Sequence, residues 1–220
     1  MKPLKLGFAL EGKSDYQVIP ILVRRLVAEI YPAIVLSSPT TLRPREHGHG
    51  FIKRLPILAR QMQGEGVHIL VAVVDANDRF VSERRRLLQE AQEQCRGQVS
   101  LCLATGLAVH ALEAWLLDSV ALFAVFDGRR ADLPSWPSPD RVDNPKATLN
   151  QAVRALTGGR ELGFSSFADD LAQAVRLNAL RRNCTAFQDF VESLSACIRE
   201  WERLYGMGGG EDAKKTISRQ

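Results

Sequence analysis

The sequence predicts an α/β protein: a mostly parallel, Rossmann-like sheet flanked by helices, followed by a C-terminal helical extension. Three observations carry this reading. The run from His68 to Asp75 (HILVAVVD) is apolar almost throughout, as a central parallel strand covered on both faces must be. Strand-like and helix-like stretches alternate through the first hundred residues. The second half shows helical patterns only, interrupted by Pro134, Pro137, Pro139 and Pro145.

The elements follow in order. Lys5 to Leu10 is a short apolar strand. Ser14 to Ile30 is a helix, with Ser14 as N-cap and Val18, Leu22, Leu26 and Ile30 on one face at steps of four. Pro20 inside it predicts an irregular first turn or a late start. Ala33 to Leu36 is a second short strand, Ser38 to Gly50 a loop, and Phe51 to Met62 a helix. After the strand ending at Asp75, Val81 to Cys95 is a charged surface helix and Val99 to Ala104 a fourth strand. Val109 to Val125 reads as mostly helical, and helices resume over Lys146 to Leu156, Ser166 to Val175 and Thr185 to Tyr205. Residues 206–220, rich in Gly and charge, read as a flexible or partner-docking tail. The expected division is an α/β domain over residues 1–120 and a helical extension over 121–205.

Composition narrows the class. The 220 residues are 45% hydrophobic and 25% charged, which excludes wholesale disorder, collagen and a disulfide-dense scaffold. No apolar run approaches the roughly 18 residues that span a bilayer, and Glu11 interrupts the short apolar stretch near the N-terminus, so a cytoplasmic protein is expected. The four cysteines form no C-x-x-C pair, and in a reducing compartment they are expected to be buried thiols. A net charge of +4 and a pI near 9.0 permit nucleic-acid binding without requiring it.

Sites in open α/β sheets form at the carboxyl ends of the strands. Here two strands end in acid, the first at Glu11 (ALEGKSD) and the third at Asp75 (VVDAND). If these strands are neighbours, about 4.8 Å apart, Glu11 and Asp75 come within reach of one divalent ion. Asn77 and Asp78 add oxygen donors on the next turn, and Asp15 adds one a helical turn from Glu11. Oxygen donors without a Cys or His cluster suit Mg²⁺ or Mn²⁺ rather than zinc. Taken singly, Glu11 or Asp75 reads more simply as a turn former or helix cap; together, at two strand ends of one parallel sheet, they read as a site. Glu113 is a further candidate: either it belongs to an exposed stripe with His110 and Asp118 while Trp115 packs inward, or it sits at the rim of the metal site.

Basic residues gather at Arg43, Arg45, His47, His49, Lys53, Arg54 and Arg60, where Gly48 and Gly50 would let backbone amides approach a phosphate. The same run reads otherwise as a solvated face. Lys13 and Lys146 are candidates for stabilising charge beside the acids. Arg84, Arg85 and Arg86 read as an exposed helix face, and the aromatics Trp115, Phe187, Phe190 and Trp201, at helical spacings, as core.

A strand ending in Glu-Gly, followed by a polar residue and an acid, and a later strand ending in an acid-rich turn resemble the Toprim domain of topoisomerases, primases and the nuclease part of the overcoming-lysogenisation-defect family. His110-Ala-Leu-Glu-Ala-Trp-Leu-Leu-Asp118, Asn144-Pro-Lys146 and Asn183-Cys-Thr-Ala-Phe187-Gln-Asp-Phe190 resemble an uncharacterised bacterial family of Toprim-like proteins. The resemblance runs over most of residues 4–200. It implies a metal-dependent nuclease in an antiphage-defence setting with an ATPase partner. Glu11 would be acid–base or ligand, Asp75 and Asn77 would hold magnesium, and Asn77 departs from the pattern, which has Asp there. The loss of that negative charge leaves open a non-catalytic module that binds an ATPase or nucleic acid.

Overall fold

A computed structural model describes residues 2–76, 80–126 and 132–205. The sheet has four strands, β1 (Leu6–Leu10), β2 (Thr40–Leu42), β3 (Ile69–Ala76) and β4 (Cys102–Val109), in the order β2-β1-β3-β4 and parallel throughout. Leu10 pairs with Val73, so Glu11 leaves β1 one register position before Asp75 on β3. The architecture is α/β with helices on both faces and a C-terminal helical region, as the strand–helix alternation predicts.

Side chains alternate across the sheet with a period of two. One face, which includes Leu6, Phe8, Leu10, Val71 and Val73, is covered by α1 (Lys13–Ile30) and by helices of the second half. These are α4 (Ser119–Val125), α5 (Pro145–Leu156), α6 (Ala168–Ala174), α7 (Leu177–Asn183) and α8 (Thr185–Tyr205). The other face, with Leu70, Ala72, Val74 and Leu103, is covered by α2 (Gly48–Gly64) and α3 (Val81–Arg96). The first cluster contains residues from both sides of position 120, so the apolar core is continuous across the expected domain boundary. Trp115 stacks on Phe190 at 5.5 Å and meets Phe187 edge-on at 5.0 Å, and Trp201 is buried, as expected for core aromatics.

Several elements differ from expectation. The second strand is Thr40–Leu42 rather than Ala33 to Leu36, of which only Leu36 makes an isolated bridge, to Leu4. Helix α1 begins at Lys13 with Gly12 as N-cap and runs unbroken through Pro20. Helix α2 begins three residues early, inside the expected loop. The fourth strand is displaced towards the C-terminus. The stretch after it is not one helix but a 3-10 turn, Leu112–Leu116, followed by the short α4. Two cysteines are not thiols: Cys102 on β4 is bonded to Cys197 on α8, whose Cα atoms lie 5.4 Å apart, while Cys95 and Cys184 are free and buried. Among the described residues no helix is long and apolar enough to cross a membrane. The expected tail at 206–220 lies outside the described residues.

Candidate functional site

At the carboxyl edge of the sheet, β1 ends at Leu10 and the chain turns sharply into α1. The turn is closed by Asp15, whose Oδ2 accepts a hydrogen bond from the Gly12 backbone N–H at 2.8 Å. Tyr16 ties the two strand ends together: its hydroxyl accepts from the Leu10 N–H at 3.0 Å and donates to the Leu42 carbonyl. Glu11 reaches towards α2, and its Oε1 accepts from the Gly48 N–H at 2.8 Å. Asp75, beside it on β3, turns the other way and accepts from the Leu112 N–H at 2.9 Å.

That second bond places Glu113. His110, at φ 64°, leaves β4 in the left-handed region, which is uncommon for a non-glycine residue, and donates its N–H to the Ala76 carbonyl at 2.7 Å. The chain then enters the 3-10 turn and delivers Glu113 to the same edge. Its side chain is 9% exposed, with Lys146 Nζ of α5 at 4.0 Å. Asn144 caps α5 through an acceptor bond from Ala147 N–H at 3.0 Å, with Pro145 as the first helical residue, which sets Lys146 facing the cleft.

These residues line one cleft of about 350 Å³, with Glu11, Asp15, Asp75 and Glu113 as its acids and His47, Lys146 and Phe164 among its other walls. Burial raises the Asp75 carboxyl to about 7, and the charges of Asp15, Glu113 and Glu11 push in the same direction against the Leu112 hydrogen bond. Burial also raises Glu11, opposed by the Gly48 hydrogen bond and by the charges of Arg84 and His47. It raises Asp15, opposed by Gly12, Ser14 and Lys146. A concentration of like charge in a half-buried cleft is what a bound cation relieves.

The donors are carboxylate oxygens with one imidazole at the rim, which fits a hard divalent ion. Among the described residues, however, no three Asp, Glu, His or Cys side chains are grouped to hold a metal as they stand. The opposite hydrogen bonds of Glu11 and Asp75 account for this, because each carboxylate is drawn away from the other by a backbone N–H. Asn77 and Asp78, the remaining expected ligands, lie outside the described residues.

The other expected residues fall as follows. Lys13 is exposed on the first turn of α1 and does not line the cleft. Arg43 lies over the Tyr16 ring at 5.5 Å. Arg45 and Lys53 are exposed, and Arg54 is ion-paired with Glu46. The exposed stripe of His110, Glu113 and Asp118 does not exist: Glu113 and Asp118 are both buried, and Asp118 caps α4 while pairing with Arg176 at 2.7 Å.

Sequence reasoning missed Arg84. It stands at helical spacing from the buried Leu88, Ala91 and Cys95, so it begins the apolar stripe of α3 rather than its solvent face. A charged residue on the inward stripe was the signal that separates it from Arg85 and Arg86.

No curated protein and no solved structure matches this sequence. A family model described as "Domain of unknown function (DUF4276)" matches residues 10–195, from the end of β1 into α8, and the chain belongs to that family.

Proposed function

We propose that this protein is a divalent-metal-dependent phosphodiester hydrolase acting on nucleic acid. The observation that carries the reading is the convergence of Glu11, Asp15, Asp75 and Glu113, from separate elements, on one cleft at the carboxyl edge of a parallel sheet, with Lys146 beside them. The Toprim resemblance and the basic character of the chain support the same reading, and the resemblance adds an ATPase partner in antiphage defence.

Glu11 and Asp75 would hold the ion, with Asn77 and Asp78, the next amide and acid in sequence, as further oxygen donors. A bound Mg²⁺ or Mn²⁺ supplies charge neutralisation at the scissile phosphate and makes water more acidic. The side chains supply the rest. Glu11 would act as acid–base group or as ligand, while Asp75, which titrates at about 7 without metal, would give up its proton as the ion binds. Glu113 steadies Lys146 across 4.0 Å, leaving the ammonium at the cleft to meet phosphate charge.

The test is cleavage of end-labelled DNA and RNA oligonucleotides with Mg²⁺ or Mn²⁺. Cleavage should require the metal and vanish in Glu11→Gln. One observation favours a second reading, a non-catalytic module binding nucleic acid or an ATPase: Glu11 and Asp75 each already serve a backbone N–H, as structural carboxylates do. Oligonucleotide or ATPase binding that is intact without metal, unaffected by Glu11→Gln and unaccompanied by cleavage selects that module.

A further inference from the structure

Three successive arginines on α3 have different surroundings. Arg85 is paired with Asp189 of α8 at 3.5 Å, and Arg86 with Glu90 one turn along its own helix. Arg84 instead reaches the start of α2 beside the cleft, near enough for its charge to favour ionised Glu11. A Cβ built on Gly48 would lie 3.4 Å from Arg84 Nη2, so the guanidinium lies against the first residue of α2, whose N–H holds Glu11. Gly48 has φ 57°, so a side chain there would strain the backbone as well as crowd the guanidinium. The guanidinium also stands 5.9 Å from the Phe80 ring centre, and its Nε is buried with no hydrogen-bond partner among the described residues. Its neighbours are themselves braced, since His49 meets Glu83 at 3.5 Å and Phe80 edge-on at 5.8 Å.

The cleft therefore has acids at its centre and Lys146 on its α5 wall, while Arg84 stands just outside the lining on the α3 side, next to Gly48. A polyanionic strand crossing such a cleft needs cations on both flanks, because the central carboxylates repel every phosphate but the one a metal holds. A planar guanidinium fixed by an aromatic face suits the bidentate recognition of phosphate oxygens. Resting on the reading of the cleft as a phosphodiester site, we propose that Arg84 contacts a backbone phosphate of the nucleic-acid strand beside Gly48, on the α3 flank away from Lys146.

The experiment measures binding of a non-cleavable phosphorothioate oligonucleotide in Mn²⁺ across a salt series, alongside Mn²⁺ binding to the free protein. Arg84→Ala should weaken oligonucleotide binding about tenfold or more. It should also flatten the salt slope by about 0.7 on single strands or 0.9 on duplex. Mn²⁺ binding to the free protein should not weaken, since removing a cation beside Glu11 does not oppose a second cation. Arg84→Lys should recover part of the affinity. Arg86→Ala, with the same change in net charge, should behave as the parent. If Arg84→Ala and Arg86→Ala bind alike, the Arg84 contact is wrong and the cleft reading stands. If the parent itself binds no oligonucleotide at low salt with Mn²⁺, the phosphodiester reading falls, and the Arg84 contact falls with it.

Discussion

The Asp75 carboxylate accepts the Leu112 backbone N–H at 2.9 Å, so the end of β3 fixes the start of the turn that carries Glu113. One acid thereby positions another. The same arrangement holds the two charges in a half-buried cleft, where Glu113 disfavours the ionised form of Asp75.

A first prediction concerns stability. The Asp75 carboxyl titrates at 3.8 when unperturbed and at about 7 in the folded protein. Between those values the native state binds more protons than the unfolded chain. The contribution of this group to stability is therefore full below about pH 4 and declines as pH rises through 7. Asp75→Asn removes the charge while its amide oxygen can still accept from Leu112. It should raise stability at pH 8 by roughly 1–3 kcal/mol and leave it little changed at pH 4. Urea melts at both pH values check this. Destabilisation at pH 8 would show that the carboxylate contributes more as a structural acceptor than it costs as a charge.

Metal binding should share that titration. An ion held by Asp75 must displace its proton below pH 7, so Mn²⁺ affinity should rise from pH 6 to pH 8 with release of up to one proton. Calorimetry in two buffers of different ionisation enthalpy measures the proton directly. Affinity that is flat over this range would remove Asp75 from the metal site.

The fold was legible where burial is one-sided or complete. The uniformly apolar β3 and the four-step stripe of α1 both announce their environment, and the two acidic strand ends followed from them. The errors lie where that signal fails. Strand β2 is a half-exposed edge of three residues, Thr40–Leu42, with no hydrophobic pattern to read. Strand β4 continues past Ala104 through Gly106, which offers no side chain to a hydrophobic pattern and leaves the room that Phe190 occupies. Residues 112–118 are buried on every side, so they offered no stripe from which a helix could be told from a turn. In the site, Asp75 and Glu113 were visible as acids in apolar surroundings. Arg84 was hidden by its own neighbours, two solvent-facing arginines with the same side chain.

The basic cluster before and within α2 divides on structural grounds. Arg54 is engaged by Glu46, whereas Arg45 and Lys53 are exposed and Arg43 is spread over Tyr16. Replacing Arg43 and Arg45 together by Ala should reduce the salt slope of duplex binding by about 1.8, two contacts' worth. Arg54→Ala should change it far less. Fluorescence anisotropy over a salt series reads both, and an unchanged slope in the double variant would leave the cluster as a solvated face.

Gly106 tests the packing of the second half on the sheet. A Cβ at this position would stand 2.9 Å from Phe190 Cδ2 and 3.2 Å from Val73 Cγ2. Phe190 is itself stacked on Trp115 and cannot swing aside freely. Gly106→Ala should cost about 1–3 kcal/mol by overpacking. Phe190→Leu in the same chain should return part of that loss, because the clashing ring is gone. Thermal melts of the single and double variants supply the comparison, and independent additive losses would mean that the two positions do not press on each other.

The Cys102–Cys197 bond joins the first residue of β4 to α8 across 95 positions of sequence. Closing a loop of that length restricts the unfolded chain, which corresponds to roughly 2–4 kcal/mol of native stability. The acids of the cleft stand at the other end of the strands, beyond Leu10 and at Asp75, and are held by Gly12, Gly48 and Leu112 rather than by α8. Reduction by a dithiol, or Cys102→Ala with Cys197→Ala, should therefore lower the denaturation midpoint while leaving Mn²⁺ affinity at pH 8 within about twofold of the parent. The comparison belongs well below the lowered midpoint, so that only folded protein is titrated. Loss of Mn²⁺ binding in a reduced chain that remains folded would mean that α8, through Phe190 and Trp115, sets the position of Glu113. The bond would then act on the site as well as on stability.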